Sequence, residues 1–208
     1  MQNYSKITDE ALFKELVNTL YNQNESKSAS VKNALKLVLH LPLRGGNITS
    51  MKWSFIDFKK RVLTIPRYEM KMSNNNLSDY KVYLSDEVIS ILKAQKSFYD
   101  ECSSNSEYVF ISNDLERHIH RDSLSKALIH LGFIGDKKQS THSFRGTFKT
   151  MLMERSHIHG VDDKIIKSVL DHLLDNKVGL AYSNKLNLIE QQRPLMKWWS
   201  DFVLSQLD

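Results

Sequence analysis

The stretch Thr141-His-Ser-Phe-Arg145 opens a segment that continues through Leu170-Asp-His172 to Ala181-Tyr182-Ser-Asn184. His142 and Arg145 are three residues apart, so a helix beginning here would place both on one face, with Lys149 one turn below. An arginine presents a planar fork of donors that matches an oxyanion such as phosphate. For this pair alone, an ordinary half-buried helix with surface polar residues is the better interpretation. The apolar stripe that would anchor the helix in a core is Phe144, Phe148, Met151 and Leu152.

The composition is that of an ordinary globular chain with a mild basic excess. The 208 residues include 29 Lys and Arg against 24 Asp and Glu, a net charge of +5, which permits a polyanionic partner without requiring one. The single cysteine, Cys102, allows no internal disulfide and fits a reducing compartment. We see no signal peptide and no stretch long enough to cross a bilayer, so we expect a cytoplasmic protein without a membrane partner.

Helical spacing of apolar residues dominates the chain and predicts a mainly α fold with a small antiparallel β-sheet, an α+β protein. Two short strands around a basic turn are expected within residues 53–66, and a third at Tyr80–Leu84. The helix caps predicted from sequence are Thr8 or Asp9, Ser30, Ser85 or Asp86, Asp122 and Asp162. A final amphipathic segment from Leu188 to Leu207 contains Trp198 and Trp199. Since adjacent residues do not share a helix face, at least one of them should dock on a protein surface.

Two basic residues stand out by their surroundings. Arg44 follows Pro42 and precedes Gly45 and Gly46, and two glycines let the backbone turn tightly and approach a ligand closely. Lys71 lies where a predicted strand meets an Asn-rich loop. Taken singly, Arg44 is better interpreted as a turn residue than as a ligand, and Lys71 as an ordinary solvated lysine.

Two histidine pairs with a spacing of two residues raise the alternative of a metal site. On a strand, each pair would share a face, but the sequence offers no cysteine and no clear third ligand at a metal-site spacing. We therefore interpret both pairs as parts of surface loops. The pairs are His118 with His120 and His157 with His159.

These separate signals gain weight from their order along the chain. The series Arg44, Lys71, His142-Ser-Phe-Arg145, His172, Tyr182 resembles the active-site series of the tyrosine recombinases, or phage integrases. The flanking segments are similar to those of temperate-phage and genomic-island integrases, and the similarity extends over about residues 30–205. The segments are Trp53-Ser-Phe-Ile-Asp57, Ile65-Pro-Arg-Tyr-Glu-Met-Lys71, Leu170-Asp-His172 and Lys197-Trp-Trp-Ser-Asp-Phe202.

Three positions depart from the family pattern without removing a catalytic group. Leu41-Pro42-Leu43 stands where Thr-Gly-Leu or Thr-Gly-Val is usual before the arginine. Asn47 replaces an acidic residue, and Asp171 replaces the usual glycine before the second histidine. These departures bear on the positioning of Arg44 and His172, and hence on how active the domain is.

The resemblance implies a tyrosine-recombinase catalytic-domain fold and site-specific DNA recombination through a 3′-phosphotyrosyl intermediate. Its partners would be double-stranded DNA attachment sites and further copies of the chain assembled on them, and no cofactor or metal is implied. Two alternatives stay open: a degenerate relative that only binds DNA, and a His-rich metal-dependent hydrolase. A type IB topoisomerase would share the chemistry, but the local motifs favour an integrase. The implied catalytic residues are Arg44, Lys71, His142, Arg145, His172 and Tyr182.

The resemblance also sets expectations for domain organisation. We expect residues 1–208 to form a single catalytic domain with its core at about 30–186. A tail helix at 187–208 would pack on this domain or on a neighbouring protomer. The N-terminal core-binding and arm-binding domains of the family are expected to be absent, which predicts weak and salt-sensitive DNA binding.

Overall fold

The computed structural model describes residues 6–23, 28–70, 78–172 and 188–208. These ranges are mostly helical and include one small antiparallel sheet, which confirms the predicted fold class. None of the described helices is long and apolar enough to cross a membrane. In chain order the helices are α1 (Glu10–Tyr21), α2 (Ala29–His40), α3 (Gly45–Thr49), α4 (Asp86–Glu101), α5 (Ser123–His130), α6 (Ser143–Glu154), α7 (Ser156–His159), α8 (Asp163–Val169) and α9 (Leu188–Leu204).

The sheet consists of β1 (Ile56–Asp57), β2 (Val62–Ile65) and β3 (Tyr80–Tyr83), in that order and antiparallel throughout. The first predicted strand is shorter than expected, because a 3-10 turn precedes β1. The Phe55 amide donates to the Lys52 carbonyl at 3.1 Å and closes this turn. Residues 53–55 therefore form a 3-10 turn instead of an extended strand.

Helix α2 lies at the centre of the fold and packs against α1, α3, α4, α5 and α9. The predicted cap of α2, Ser30, is wrong, because the helix already begins at Ala29. Ser30 is buried inside the helix, and its hydroxyl accepts a hydrogen bond from the Gln95 side-chain amide. The predicted cap of α1 is confirmed, since the Asp9 carboxylate accepts from the Leu12 amide at 3.0 Å. Pro42 follows the end of α2 and turns the chain toward α3.

Helix α9 closes the core by packing on α2, α4, α8 and β3 of its own chain. Trp199 is 1% exposed, and its indole N–H donates to the Leu39 carbonyl at 2.8 Å. The rings of Phe13 and Phe148 lie 5.9 and 5.1 Å from the Trp199 ring. The expectation that one of the two tryptophans docks on a protein surface is confirmed.

Candidate active site

Arg44 lies at the turn between α2 and α3, where it occupies the residue position just before α3. Its guanidinium is half-buried, and its Nη1 atom is buried with no hydrogen-bond partner in the part of the chain that the structure describes. A buried, charged donor without a partner is costly. Arg44 therefore offers an unsatisfied donor that an anion could bind.

The first residue of α3 is in close contact with the segment that leads into α6. A Cβ atom added to Gly45 would lie 2.7 Å from Oγ1 and 3.0 Å from Cβ of Thr141. Only glycine allows the backbone to approach this closely. This contact brings the Arg44 turn against the beginning of the helix that carries Arg145.

Arg145 links three segments of the chain from a buried position, being 8% exposed. Its Nη1 donates to the Pro42 carbonyl at 2.7 Å, and its Nη2 donates to the Leu170 carbonyl at 2.6 Å. The same Nη2 lies 3.2 Å from Nε2 of His172. Because a guanidinium only donates, Nε2 accepts in this contact and the ring proton resides on Nδ1. Arg145 is thus held in one orientation beside His172.

The charge of Arg44 acts on the guanidinium of Arg145. Burial lowers the pKa of the Arg145 guanidinium, and the positive charge of Arg44 lowers it further. Asp171 acts in the opposite direction and favours the charged form of Arg145. Two guanidinium groups are therefore held together with only partial compensation, an arrangement that favours binding of an anion such as phosphate.

The turn between α8 and His172 is held by side chains from distant parts of the chain. The Tyr80 hydroxyl donates to the Val169 carbonyl at 2.7 Å. The guanidinium of Arg67 forms a bidentate pair with the Asp171 carboxylate, at 3.0–3.2 Å, and both side chains are almost fully buried. Burial raises the pKa of the Tyr80 phenol, which therefore remains a neutral donor.

His142 is the residue just before α6 and is exposed, whereas Arg145 in the first turn of that helix points into the protein. The predicted apolar stripe of α6 is confirmed, because Phe144, Phe148, Met151 and Leu152 are all buried. Lys71 and Tyr182 lie outside the described residues. Of the six candidate residues, the structure therefore brings together Arg44, Arg145 and His172, and locates His142 at the start of the same helix.

The histidine pairs considered as metal ligands lie in local contacts instead. Nδ1 of His118 is 2.7 Å from the Ile119 carbonyl, and Nε2 of His159 is 2.9 Å from the Leu152 carbonyl. Within the described ranges, no cluster of three or more His, Cys, Asp or Glu side chains could hold a metal ion. The surface-loop interpretation is wrong for His157 and His159, which lie on helix α7, where residues two apart do not face each other.

Sequence reasoning did not identify the roles of Arg67 and Tyr80 in this site. The sequence did contain one signal of this interaction, because Asp171 stands at a position where the family usually has glycine. A charged residue there required a partner. The partner is 104 residues away in the chain, which local periodicity does not reveal.

The sequence of the chain matches a known family and several of its members. A sequence model described as the phage integrase family matches residues 8–187. The chain is 30% identical over 161 residues to the prophage integrase IntA of Escherichia coli strain K12, covering 77% of this chain and 35% of that protein. It is 29% identical over 171 residues to the integrase of Shigella phage Sf6, covering 82% of this chain and 41% of that protein. The chain thus spans about two fifths of the length of these curated relatives.

Solved structures support the same fold. The XerA recombinase structure superposes with a TM-score of 0.61 at 15% identity, covering 90% of this chain and 61% of that one. The integrase from mycobacterium phage Brujita superposes with a TM-score of 0.56 at 20% identity, covering 100% of this chain and 65% of that one. At these identities, the likeness shows a shared fold.

Proposed function

The chain belongs to the phage integrase family of tyrosine recombinases, and we propose that it carries the catalytic step of site-specific DNA recombination. Its substrate would be a pair of double-stranded DNA attachment sites, on which several copies of the chain assemble to integrate or excise a mobile element. The observation that supports this proposal best is the contact between Arg145 and His172, together with the charge of Arg44 acting on Arg145.

In this proposal the scissile phosphate binds beside these three side chains. The unpartnered Nη1 of Arg44 binds one non-bridging oxygen, and the charge of Arg145 stabilises the additional negative charge of the transition state. The carbonyls of Pro42 and Leu170 already hold Arg145 in place, so little reorganisation is needed during reaction. His172 accepts from Arg145 at Nε2 and can therefore donate from Nδ1 to a phosphate oxygen.

The covalent chemistry is assigned to residues that come from the family resemblance. The Tyr182 oxygen attacks phosphorus, the bond to the 5′-oxygen breaks, and the 3′-phosphate remains on the tyrosine. His142 accepts the phenol proton, and Lys71 donates a proton to the departing 5′-oxygen. A 5′-hydroxyl from the partner strand then reverses the reaction. The phosphotyrosyl bond conserves the energy of the phosphodiester, so no nucleotide cofactor is required.

All three departures from the family pattern have physical counterparts that favour an active domain over a degenerate one. Asn47 donates its amide to the Glu69 carbonyl at 3.4 Å, a bond that an ionised acid could not donate. Asp171 is neutralised by Arg67. Pro42, in the third departure, supplies a carbonyl that Arg145 binds.

The test is covalent capture on DNA. A library of duplexes with random sequence around a nick lets the short cleaved fragment diffuse away, which traps the enzyme on its DNA whatever the target sequence is. We expect a subset of sequences to remain attached after denaturation, and sequencing them identifies the target. Binding without any adduct across the library would support the DNA-binding alternative, and cleavage abolished by a chelator would support the metal-dependent hydrolase.

Two tyrosine variants make this test specific. Tyr182→Phe removes the nucleophile and should abolish the adduct while leaving DNA binding unchanged. Tyr68→Phe is the matched control, because Tyr68 is 75% exposed and is an available phenol in the segment that leads to Lys71. It should leave the adduct intact. An adduct that survives Tyr182→Phe would remove Tyr182 from this role.

A further inference from the structure

We propose that Arg67 and Asp171 form a positioning pair that holds His172 and Arg145 in their working orientation, an inference that rests on the proposed function. Two nitrogens of Arg67 contact the Asp171 carboxylate, with Nη1 at 3.0 and 3.2 Å and Nη2 at 3.1 Å. The two side chains are 7% and 4% exposed. Such planar, two-point contacts fix orientation as well as distance.

The backbone of Asp171 shows that this residue is held against a conformational preference. Its φ of 57° lies in the left-handed region, which favours glycine. Glycine would adopt this conformation more readily but would leave the buried guanidinium of Arg67 without its carboxylate. The aspartate side chain therefore has a role that compensates for the backbone cost.

In the chain, Asp171 lies between two residues of the candidate site, Leu170 and His172. The Leu170 carbonyl before it accepts the hydrogen bond of Arg145, and His172 follows it. A shift at Asp171 therefore moves both an anchor of Arg145 and the imidazole that Arg145 contacts. The pair thus acts through these neighbours and does not itself need to touch DNA.

Arg67 ties the same turn to the segment that carries the proposed general acid. It begins a 3-10 turn at Arg67–Glu69, four residues before Lys71. Its Nε donates to the Ser78 carbonyl at 2.9 Å, and its amide donates to the Asp79 carboxylate at 3.0 Å. Arg67 therefore binds Ser78 and Asp79, the first residues that the structure describes after Lys71, and is linked through Asp171 to the residue before His172.

The three arginines in this region differ in how Asp171 balances their charges. Asp171 neutralises Arg67 directly and favours the charged form of Arg145. Nη1 of Arg44 has no hydrogen-bond partner among the residues that the structure describes. The carboxylate thus offsets the charges of Arg67 and Arg145, while the proposed phosphate-binding donor of Arg44 stays available.

The test compares Asp171→Asn and Arg67→Met, the corresponding double variant, and Arg67→Lys, which keeps the charge but not the two-point contact. We expect Asp171→Asn and Arg67→Met each to slow adduct formation roughly 10- to 100-fold. Their affinity for DNA should change less than about threefold. Arg67→Lys should fall between them and the wild type. The double variant should be no slower than the slower single variant, because the two residues act as one unit. Multiplicative losses in the double variant would overturn the proposal.

A second readout does not depend on catalysis. Nitrogen NMR of the wild-type imidazole should show His172 unprotonated at Nε2 and protonated at Nδ1 at neutral to mildly alkaline pH, and Asp171→Asn should mix the two tautomers. Glu10→Gln, which removes the Arg155–Glu10 ion pair at another position, is the control and should change neither readout. All rates are measured where circular dichroism shows every variant folded.

These readouts distinguish failure of the inference from failure of the proposed function. If the wild type forms no adduct, the proposed function fails, and the tautomer of His172 still decides whether the pair positions it. If the wild type forms an adduct while Asp171→Asn and Arg67→Met retain both the wild-type rate and the wild-type tautomer, the pair is not a positioning pair.

Discussion

At the scale of single residues, the candidate site depends on the absence of a side chain at Gly45. The backbone there comes so close to Thr141 that a Cβ atom would lie 2.7 Å from Oγ1 of that residue. Thr141 cannot easily move away, because its own Cβ is only 3.0 Å from the same point. The approach of the Arg44 turn to α6 is therefore a direct consequence of this glycine.

Gly45→Ala should consequently destabilise the protein and reduce activity together. We expect a loss of about 1–3 kcal/mol in the free energy of unfolding, as for other overpacked contacts, measured by urea denaturation. The rate of adduct formation should fall because Arg44 is displaced from Arg145. Gly46→Ala is the matched control, since nothing lies within 4 Å of its added Cβ, and it should be neutral or slightly stabilising. Equal stability in the two variants would contradict the close approach.

At the scale of secondary-structure elements, a buried polar network joins α1, α2, α4 and α9. Nε2 of His40 lies 2.7 Å from the Tyr21 hydroxyl, which donates to Glu87 at 2.9 Å. Because that hydroxyl has only one proton, Nε2 of His40 must donate to it. In a neutral ring, Nδ1 of His40 accepts from the Ser200 hydroxyl at 3.0 Å. Complete burial of the ring requires that His40 stay neutral.

This requirement predicts a pH dependence of stability. Burial lowers the pKa of His40 to about 3, whereas an unfolded histidine titrates near 6.5. Below pH about 6.5 the unfolded chain takes up a proton that the folded chain does not, so stability is lost as pH falls, by up to about 1.4 kcal/mol per pH unit. His40→Gln has no imidazole to titrate, so its stability should not fall in this way. The stability advantage of the wild type over His40→Gln should therefore shrink as pH falls from 7 to 5. Parallel stability curves would refute a neutral His40.

Elements with a clear apolar period could be predicted from sequence, whereas those set by distant contacts could not. The buried stripe of α6 follows from spacing alone, and the cap at Asp9 follows from local chemistry. The predicted strand at Trp53 was partly wrong, because its amide bonds to the Glu107 carbonyl at 3.0 Å and the chain turns. That partner is more than fifty residues away, where a local pattern carries no information.

The same division applies to the candidate site. Arg44, Arg145 and His172 could be selected from sequence because their motifs occur in a specific order. The pairing of Arg67 with Asp171 could not, because it depends on how the β2–β3 segment folds against the end of α8. An aspartate in place of glycine indicated an anomaly, but only the fold reveals what it binds.

At the scale of the whole molecule, the mild net charge of +5 limits how strongly the chain can hold DNA. We expect a dissociation constant of roughly 10⁻⁶ to 10⁻⁴ M for a random duplex near physiological salt. Affinity should fall steeply as salt rises, since each phosphate contact releases counterions. Fluorescence anisotropy across a salt series measures both quantities. Nanomolar binding to random DNA at physiological salt would show a larger interface than this chain is expected to provide.

The proposed function requires Arg44 and Arg145 to neutralise the charge of the scissile phosphate. Once capture has identified a target, a duplex carrying a neutral methylphosphonate at the scissile position tests this claim directly, because one charged oxygen is replaced by a methyl group. On ordinary DNA, Arg44→Ala should slow adduct formation roughly 10²- to 10³-fold. On the methylphosphonate duplex the same substitution should cost far less, since the charge that Arg44 offsets is no longer present. An equal loss on both substrates would show that Arg44 does not act on the charge of the scissile phosphate.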